Sequence, residues 1–414
     1  MSHITEDDVE WQVGEWFEEA WDPDLSLVEW RTRLLDSGWA VPSWSTSWFG
    51  KGLPAWSDRV AHSTIRRGGG VALPLGAGAS LAAPTLYDHA NDDVKDRFLR
   101  PTLTGEMMWC QLFSEPVAGS DLAGLKTTAV RDGDDWIVNG LKVWNTSAHH
   151  ADMAILIART DWDEVKHSGL TYFVMDMHQE GVEARPIEQM NYHNSFNEVF
   201  MTDAVVPHAN VVGEVGGGWR VARGTLAHER SFAGLRSVEI RETAVGRVVD
   251  EAKEEAIEYL KTYEWYPQRA GRFDLIIDRA VAAGRHTDPV VREEMMQLYS
   301  FQKAAEWTAG RARAARELGR PPGSEGSIGK LASSEVARRS NHMHATIAGP
   351  QAMLKEGDDP LDAVIAEVIV STPAQSIAGG TDEIQHNILG ENMLGLPKEP
   401  ALDRGIPFRE VGRS

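Results

Sequence analysis

Cysteine is almost missing from this chain of 414 residues, because Cys110 is the single one. An intrachain disulfide and a cysteine-rich zinc or iron–sulfur site are therefore excluded. The apolar neighbours Met107, Met108 and Trp109 indicate that Cys110 is an inert buried residue. No apolar run approaches the roughly 18–20 residues that cross a bilayer. The acidic N-terminus has no apolar core and is not typical of a signal peptide, so we expect a cytoplasmic protein without a membrane span.

Positive charge is also scarce, with 41 Lys and Arg against 62 Asp and Glu, a net charge of −21. This balance argues against nucleic acid and anionic membranes as partners. Residues 68–70 and 76–80 are glycine-rich, but no basic residue follows them as in a phosphate loop, so we expect tight helix packing there. The histidines at 149–150 and 342–344 lack partners at ligand spacing, so no metal site is predicted.

The local pattern changes twice along the chain. Residues 1–108 read mostly as helices, and residues 109–214 as short apolar runs separated by turns. Within the second part, Asp132–Asp135 is a turn inside a predicted β-hairpin. Residues 215–414 are helical again, with long helices expected at about 219–261, 288–318 and 327–347. We expect an α+β multidomain fold with a small antiparallel barrel or sandwich between two helical domains.

Two segments of the middle part suit a flat ligand. Ser114–Asp121 combines small residues, a proline and hydroxyl groups, so its backbone can approach a ligand closely and offer amide donors. Val143–Ser147 places the indole of Trp144 near a hydroxyl group. Such a pair suits the face and polar edge of an isoalloxazine ring, although a lone Trp144 would more simply be a core residue.

The chain resembles the acyl-CoA dehydrogenase family from about residue 85 to 397. The blocks that carry the resemblance are Cys110–Pro116, Asn139–Trp144, Glu198–Phe200, Val206-Pro207, Asn210–Glu214 and Gly379–Gln385. The resemblance implies a helical domain, a β-barrel and a four-helix bundle, with FAD between the last two. It also implies an acyl-CoA substrate, which is oxidised to a trans-2-enoyl-CoA.

The family's binding residues carry over onto matching positions of this chain. The resemblance implies that FAD contacts Gln111, Phe113, Ser114, Gly119, Ser120, Trp144, Thr146, Thr381 and Glu383. Ser120 is also expected to contact the pantetheine arm, and Arg230 the coenzyme A chain. Without the family, Thr381 reads as a helix cap.

The reaction needs a base that removes a proton from the substrate α-carbon. One family location for this glutamate is position 379, but here Gly379 stands there and cannot act as a base. The other location, just before an arginine on the first long C-terminal helix, is matched by Glu229. Apolar neighbours at i−3 and i+3 would desolvate Glu229 and raise its pKa toward the range of a general base. His228 competes for this role, but adjacent helix residues point in different directions.

Gly379 keeps its backbone N–H, which by family analogy donates to the thioester oxygen. The missing side chain leaves room for a branched or bulky acyl group, so we expect such a substrate. A second departure is that the family's Arg-x-x-Phe-Gly run is not found between Lys261 and Val290. Its absence resembles branches in which two different chains share one FAD site, including enzymes of steroid side-chain thioesters. We therefore expect a homo- or hetero-oligomer, a dimer or tetramer.

Two alternatives stay open from the sequence. An electron-transfer flavoprotein is the expected reoxidant by family analogy, but an acyl-CoA oxidase or a flavin monooxygenase would have a similar sequence. The other alternative is a non-catalytic subunit that completes the flavin site of a partner. Gly379 and the missing arginine run favour it, whereas Glu229 and the Ser114–Ser120 motif oppose it.

Overall fold

The computed structural model describes residues 4–232, 244–259, 261–317, 323–354, 361–400, 403 and 405–411. The chain forms two compact units. The first contains Met1–Ile187, Asn194–Lys261 and Leu402–Ser414, and the second contains Glu188–His193 and Thr262–Ala401. The order of helices, strands and helices confirms the predicted fold class. The predicted domain bounds stay a prediction.

Five helices precede the sheet. They are α1 (Glu6–Ala20), α2 (Leu27–Asp36), α3 (Trp56–Arg67), α4 (Ala83–His89) and α5 (Asp92–Thr104). In α1, Val9, Val13 and Phe17 are spaced by four residues and are buried on one face. A Cβ atom added to Gly68 or Gly70 would come within 2.5 or 2.4 Å of the Phe17 ring. The prediction that this glycine patch serves tight helix packing is therefore confirmed.

An eight-stranded sheet follows, in the order β6-β7-β3-β2-β4-β5-β8, with β1 beside β4. Its strands are β1 (Trp109–Leu112), β2 (Thr128–Asp132), β3 (Asp135–Thr146), β4 (Met153–Arg159), β5 (Leu170–Asp176), β6 (Val182–Ile187), β7 (Phe196–Pro207) and β8 (Val211–Val212). Strands β2 and β3 form the predicted hairpin, in which Asp132 pairs with Asp135.

The expectation of a purely antiparallel sheet is wrong in two places. Strand β4 pairs in parallel with β1 along its first half and with β2 through Arg159 and Thr128. A parallel pair needs a long connection, and the segment that holds β2 and β3 supplies one between β1 and β4. Alternation of apolar residues along a strand does not distinguish the two pairings.

Both faces of strand β4 are covered. Ile155 and Ile157 lie in a core shared with the N-terminal helices, whereas Ala154, Leu156 and Ala158 lie in a second core on the other face. Because successive side chains point to opposite faces, β4 is apolar at nearly every position rather than at alternate ones.

The remaining helices are α6 (Gly218–Phe232), α7 (Arg247–Tyr259), α8 (Thr262–Arg269), α9 (Ile276–Ala282), α10 (Pro289–Glu317), α11 (Glu325–Ala348), α12 (Asp362–Ser371) and α13 (Asp382–Asn392). Helices α10 and α11 confirm the predictions for 288–318 and 327–347. The helix predicted at 219–261 is represented by α6 and α7, and residues 233–243 and 260 between and after them lie outside the described part.

Among the described residues, no helix combines the length and the hydropathy that crossing a membrane requires. These residues also contain no group of three or more His, Cys, Asp and Glu side chains that could hold a metal ion. Cys110 is buried in β1, and burial raises the pKa of its thiol, which agrees with the expected packing role.

Candidate active site

The Ser114–Ser120 motif forms a tight loop with an open outer side. Glu115 and Ala118 exchange both backbone hydrogen bonds, at 2.9 and 3.1 Å, so the two residues between them form the tip. Gly119 and Ser120 are exposed, and Ser114 is half-buried. A Cβ atom added to Gly119 would meet nothing within 4 Å. The loop therefore offers amides and hydroxyl groups to a ligand without a side chain in the way.

A buried ion pair fixes the inner side of this loop. The Nζ atom of Lys142, which is fully buried in β3, donates to Glu115 Oε1 and to the Phe113 carbonyl, both at 2.9 Å. The Glu115 carboxylate also accepts from the backbone N–H groups of Lys126 (2.7 Å) and Thr127 (2.9 Å). The carboxylate of this loop residue is thus tied both to β3 and to residues 126–127, which lead into β2.

The two pKa values of this pair reflect its environment. Burial lowers the pKa of Lys142 to about 8, against the attraction of Glu115. Burial tends to raise the pKa of Glu115, but Lys142 and the two backbone donors outweigh it and lower that pKa. We assign the charged form to Glu115 near neutral pH, because its carboxylate has three donors within 2.9 Å.

A β-bulge turns Trp144 outward beside the loop. In the pairing of β3 with β7, Lys142 lies opposite Val199 but Asn145 lies opposite Asn197, so β3 carries one extra residue. The backbone N–H of Val143 donates to the Ser114 carbonyl at 2.9 Å instead. Trp144 has φ of +64°, and its side chain is 59% exposed. The bulge brings the backbone before Trp144 to the motif and leaves the indole largely exposed to a ligand.

Other predicted residues of the middle part lie around the bulge. Gln111 is in β1, and its carbonyl accepts from Asn145 Nδ2 at 2.7 Å. Thr146 is half-buried and directly follows Asn145. The ring of Phe113 is buried edge-on against Tyr172, with 5.8 Å between ring centroids. Because its ring is buried, Phe113 can offer only its backbone to a ligand bound at the loop.

Helix α6 is fixed to this region by three buried hydroxyl groups. Thr225 Oγ1 accepts a hydrogen bond from Thr85 Oγ1 of α4 at 3.0 Å and lies 2.9 Å from Tyr172 Oη of β5. Tyr172 is the residue that packs on Phe113. Glu229 follows Thr225 by one helical turn, so the two residues share a face of α6. Glu229 is half-buried.

His228, the competing candidate base, contacts a neighbouring helix. His228 Nε2 lies 2.9 Å from Asp88 Oδ2 of α4, within hydrogen-bond distance. The side chain of Arg230, predicted to contact coenzyme A, lies outside the described residues, and so do those of Phe232 and Ala233. The assignment of Arg230 therefore stays a prediction.

The closing motif lies in the second compact unit. Thr381 caps α13, where its Oγ1 accepts from Ile384 N at 3.3 Å, as the helix-cap interpretation predicts. Gln385 Nε2 donates to the carbonyls of Gly379 and Gly380, both at 3.3 Å. Glu383 is exposed in the first turn of α13.

Gly379 has a conformation that suits glycine, with φ of +69°. A Cβ atom added there would meet nothing within 4 Å. Gly379 is exposed within its own unit, and the predicted room for a bulky acyl group stays a prediction.

The residues of the first unit fit a flavin. The exposed indole of Trp144 supplies a flat apolar surface, and the half-buried hydroxyl groups of Ser114 and Thr146 supply polar groups next to it. The buried Asn145 Oδ1 has no hydrogen-bond partner among the described residues. In the second unit, α13 starts with the acidic residues Asp382 and Glu383, of which Asp382 is buried, so the predicted contacts of Thr381 and Glu383 with FAD stay predictions.

Sequence reasoning missed the residues that hold the site in place. Lys142, Asn145 and Thr225 were not predicted to have a role. A signal was available for Lys142, because it shares the inward-facing phase of β3 with Trp136 and Val138. A lysine on that phase indicates a buried anionic partner. No comparable signal marks Thr225, because its partners lie in distant parts of the sequence.

The chain matches all three domains of one family. Residues 2–106 match "Acyl-CoA dehydrogenase, N-terminal domain", residues 110–204 the middle domain and residues 216–394 the C-terminal domain. Acyl-CoA dehydrogenase IpdE1 of Mycolicibacterium smegmatis is 31% identical over 381 residues, 89% of this chain and 88% of that protein. Acyl-CoA dehydrogenase FadE34 of Mycobacterium tuberculosis is 32% identical over 371 residues. The match covers 89% of this chain but only 46% of FadE34.

Solved structures show the same fold. A structure described as a Tcur3481-Tcur3483 steroid ACAD has a TM-score of 0.68 at 22% identity, and the match covers 95% of this chain and 98% of that one. The ChsE4-ChsE5 complex from Mycobacterium tuberculosis has a TM-score of 0.64 at 23% identity, with 96% and 100% covered. With the three domain matches and the likeness to IpdE1, these findings show that the chain belongs to the acyl-CoA dehydrogenase family of flavoprotein oxidoreductases, which typically depend on FAD.

Proposed function

We propose that this protein removes the α and β hydrogens of an acyl-CoA thioester and forms a trans-2-enoyl-CoA, with Glu229 as the base. The observation that carries this proposal is the position of Glu229 on α6. Glu229 follows Thr225 by one helical turn. The hydroxyl group of Thr225 is hydrogen-bonded to that of Tyr172, and the Tyr172 ring packs on Phe113, which directly precedes the Ser114–Ser120 motif. The half-buried carboxylate on this face of α6 supports the assignment of Glu229 as the base.

The chain's own residues supply proton transfer, polarisation and orientation. Glu229 takes the α-proton, and the Gly379 N–H donates to the thioester oxygen, where negative charge develops as that proton leaves. Ser120 contacts the pantetheine arm, and the Trp144 indole together with Ser114 and Thr146 orients the cofactor. Bound FAD supplies the acceptor for the hydride from the β-carbon.

We further propose a bulky or branched acyl group as the substrate. The support is the open space around the Cβ position of Gly379. Family members whose base lies at this position carry a glutamate there. One solved relative is described as a steroid ACAD. A panel of short, long, branched and steroid acyl-CoA thioesters, with dye reduction as the readout, tests this choice. A preference for short straight chains would contradict it.

Substitution of the base tests the mechanism. Glu229→Gln keeps the size and polarity of the side chain but removes the proton acceptor, so turnover should fall by about 10²–10⁴-fold while the flavin spectrum is unchanged. His228→Asn is the matched control from the next position, and it should lose far less activity. Loss in His228→Asn together with full activity in Glu229→Gln would move the base to His228.

A second candidate function is that of a subunit in a heteromer, in which two chains complete the FAD site. It is supported by the missing Arg-x-x-Phe-Gly run and by the likeness in fold to the ChsE4-ChsE5 complex. The visible spectrum of the chain purified alone separates the candidates. A yellow, active chain supports the first one, and a colourless chain that turns yellow only with a second chain supports the heteromer.

The electron acceptor is proposed to be an electron-transfer flavoprotein. An oxidase would instead pass the electrons to oxygen and release peroxide. Turnover in air with a peroxide assay distinguishes the two, because stoichiometric peroxide would contradict the dehydrogenase proposal.

A further inference from the structure

The end of the described chain lies on the β domain of its own compact unit. We call Asp403 and residues 405–411 the return segment. Its Pro407 forms a β-bridge with Val165, and the backbone N–H groups of Phe408 and Arg409 donate to the Glu164 and Trp162 carbonyls at 2.9 and 3.0 Å. The return segment therefore pairs with residues 160–169, which connect β4 to β5.

One side chain of the return segment is buried against a buried cation. The ring of Phe408 is 5% exposed, and its centroid lies 3.4 Å from the guanidinium carbon of Arg159. Arg159 is itself fully buried at the end of β4. A cation held this closely over an aromatic face is attracted to it strongly when both are desolvated.

The guanidinium N–H groups of Arg159 donate hydrogen bonds to the turn that follows the Ser114–Ser120 motif. Its Nη2 atom donates to the Ala123 carbonyl at 2.7 Å, and its Nε atom donates to the Leu125 carbonyl at 3.3 Å. These two carbonyls belong to the turn of residues 121–125, which begins immediately after Ser120. Phe408 thus covers the cation that fixes this turn.

Lys166 makes a second connection between the same two segments. Its Nζ atom lies 2.6 Å from Asp121 Oδ2 and 2.8 Å from Asp403 Oδ2. Asp121 is the residue after Ser120, and Asp403 belongs to the return segment. Two independent side-chain contacts therefore join the return segment to the residues that follow the motif. One is the cation–π contact of Phe408 with Arg159, and the other is the ionic contact through Lys166.

Residues 160–170 also contact the start of helix α6, which carries the proposed base Glu229. His167 packs edge-on against Trp219 in the first turn of α6, with 5.0 Å between ring centroids. Leu170 forms a β-bridge with Gly217, directly before α6. Order in residues 160–169 therefore affects both the turn after Ser120 and the start of α6.

We propose that the return segment is a clasp that positions Ser120 for the pantetheine arm, with Phe408 and Lys166 as positioning residues. This inference rests on the proposed function of Ser120, and it adds a part of the chain that the family motifs do not include. The physical reason is that two carbonyls of the turn of residues 121–125 accept buried hydrogen bonds from Arg159, and these bonds are stable only while Arg159 stays shielded from water.

Substitutions of Phe408 test the clasp on the whole enzyme. Phe408→Leu fills similar space but lacks the aromatic face, so amide hydrogen exchange in residues 121–127 should become about tenfold faster. Phe408→Tyr keeps the face and should restore slow exchange. With an acyl-CoA substrate, Phe408→Leu should raise KM several-fold and leave kcat nearly unchanged, because the hydroxyl groups of Thr85 and Tyr172 still hold α6 at Thr225, one turn before Glu229.

A matched control comes from the next residue. Arg409→Ala removes an exposed ion pair with Asp163 but leaves Arg159 and Lys166 in place, so exchange and KM should stay at the wild-type values. Lys166→Met, which removes both ionic contacts, should accelerate exchange in the same residues. Unchanged exchange in Phe408→Leu and Lys166→Met would overturn the clasp. A wild-type chain without acyl-CoA activity whose exchange still responds would instead refute the proposed function alone.

Discussion

At the scale of single residues, the Glu115–Lys142 pair explains how a loop built for flexibility is held in one conformation. Gly119 and Ser120 leave the outer side of the loop open, so the constraint has to come from the inner side. A buried ion pair stabilises little by itself, but removing one partner leaves an uncompensated charge. The pair therefore fixes the loop by making alternative conformations costly.

Removing the carboxylate should reveal this through its pH dependence. Glu115→Gln leaves Lys142 buried without an anion, so the free energy of unfolding at pH 7 should fall by about 3–5 kcal/mol. The pKa of Glu115 is lowered below its ordinary 4.5, so its stabilising contribution is complete above pH 4.5 and is lost as pH falls through the folded-state value. The difference between wild type and variant should therefore shrink below pH 4.5 in urea unfolding.

An exposed pair provides the control for this experiment. Glu183 and Arg185 form an ion pair at 2.7 Å on the surface of β6. Glu183→Gln should leave the free energy of unfolding unchanged at pH 7. A gap between wild type and Glu115→Gln that stays constant from pH 7 to pH 3.5 would contradict the assigned charge state.

At the scale of elements, the bulge in β3 lowers the stability of the chain but exposes the indole that is proposed to bind FAD. Trp144 is held at φ of +64°, a conformation that costs a residue other than glycine about 1 kcal/mol or more. Trp144→Gly relieves this strain, so the FAD-free chain should unfold at the same or a higher urea concentration. Affinity for FAD, measured by fluorescence titration, should fall about tenfold because the indole is lost.

A change of aromatic ring controls for the loss of the indole. Trp144→Phe keeps both the ring and the strained backbone, so it should retain most of the FAD affinity and gain no stability. If Trp144→Gly bound FAD as tightly as wild type, the proposed contact between this indole and the cofactor would be wrong.

Helix α6 depends on the hydroxyl group of Thr225. Thr225→Val has nearly the same shape but leaves the buried hydroxyl groups of Thr85 and Tyr172 with one partner fewer, which should cost about 1–3 kcal/mol in urea unfolding. Turnover should also fall, because Glu229 is one turn further along α6. Thr225→Ser keeps the oxygen atom and should stay near wild type in both measurements. Equal behaviour of the Val and Ser variants would show that the hydroxyl network does not position α6.

The elements divide clearly into those that the sequence predicts and those that it does not. Helices α10 and α11 and the β2–β3 hairpin are specified by local signals, namely apolar periodicity and turn residues, and all were predicted. The parallel pairing of β1 with β4, the bulge at Trp144 and the return of residues 405–411 depend on contacts between distant segments. Local patterns contain no information on these contacts. The loop residues of the site were found because a family motif marks them, whereas their supports Lys142 and Thr225 were not.

At the scale of the whole molecule, the part of the candidate site that lies in the first compact unit is built from segments far apart in the chain. The motif at 114–120, the strand end at Arg159, helix α6 and the return segment all belong to the first compact unit. The closing motif belongs to the second unit. Short motifs can therefore identify the family, but the order of the motif loop depends on residues nearly 300 positions later, such as Phe408.

The overall charge gives a prediction that applies to the whole molecule. The net charge of −21 should repel the phosphates of coenzyme A at long range. The Debye length falls from about 30 Å at 0.01 M salt to about 8 Å at 0.15 M, so salt should screen this repulsion. We expect kcat/KM for an acyl-CoA to rise about twofold to tenfold over that range. An N-acetylcysteamine thioester of the same acyl group carries no phosphate, and its kcat/KM should stay flat. If kcat/KM for the acyl-CoA fell with salt, a local cluster of cations would dominate its approach.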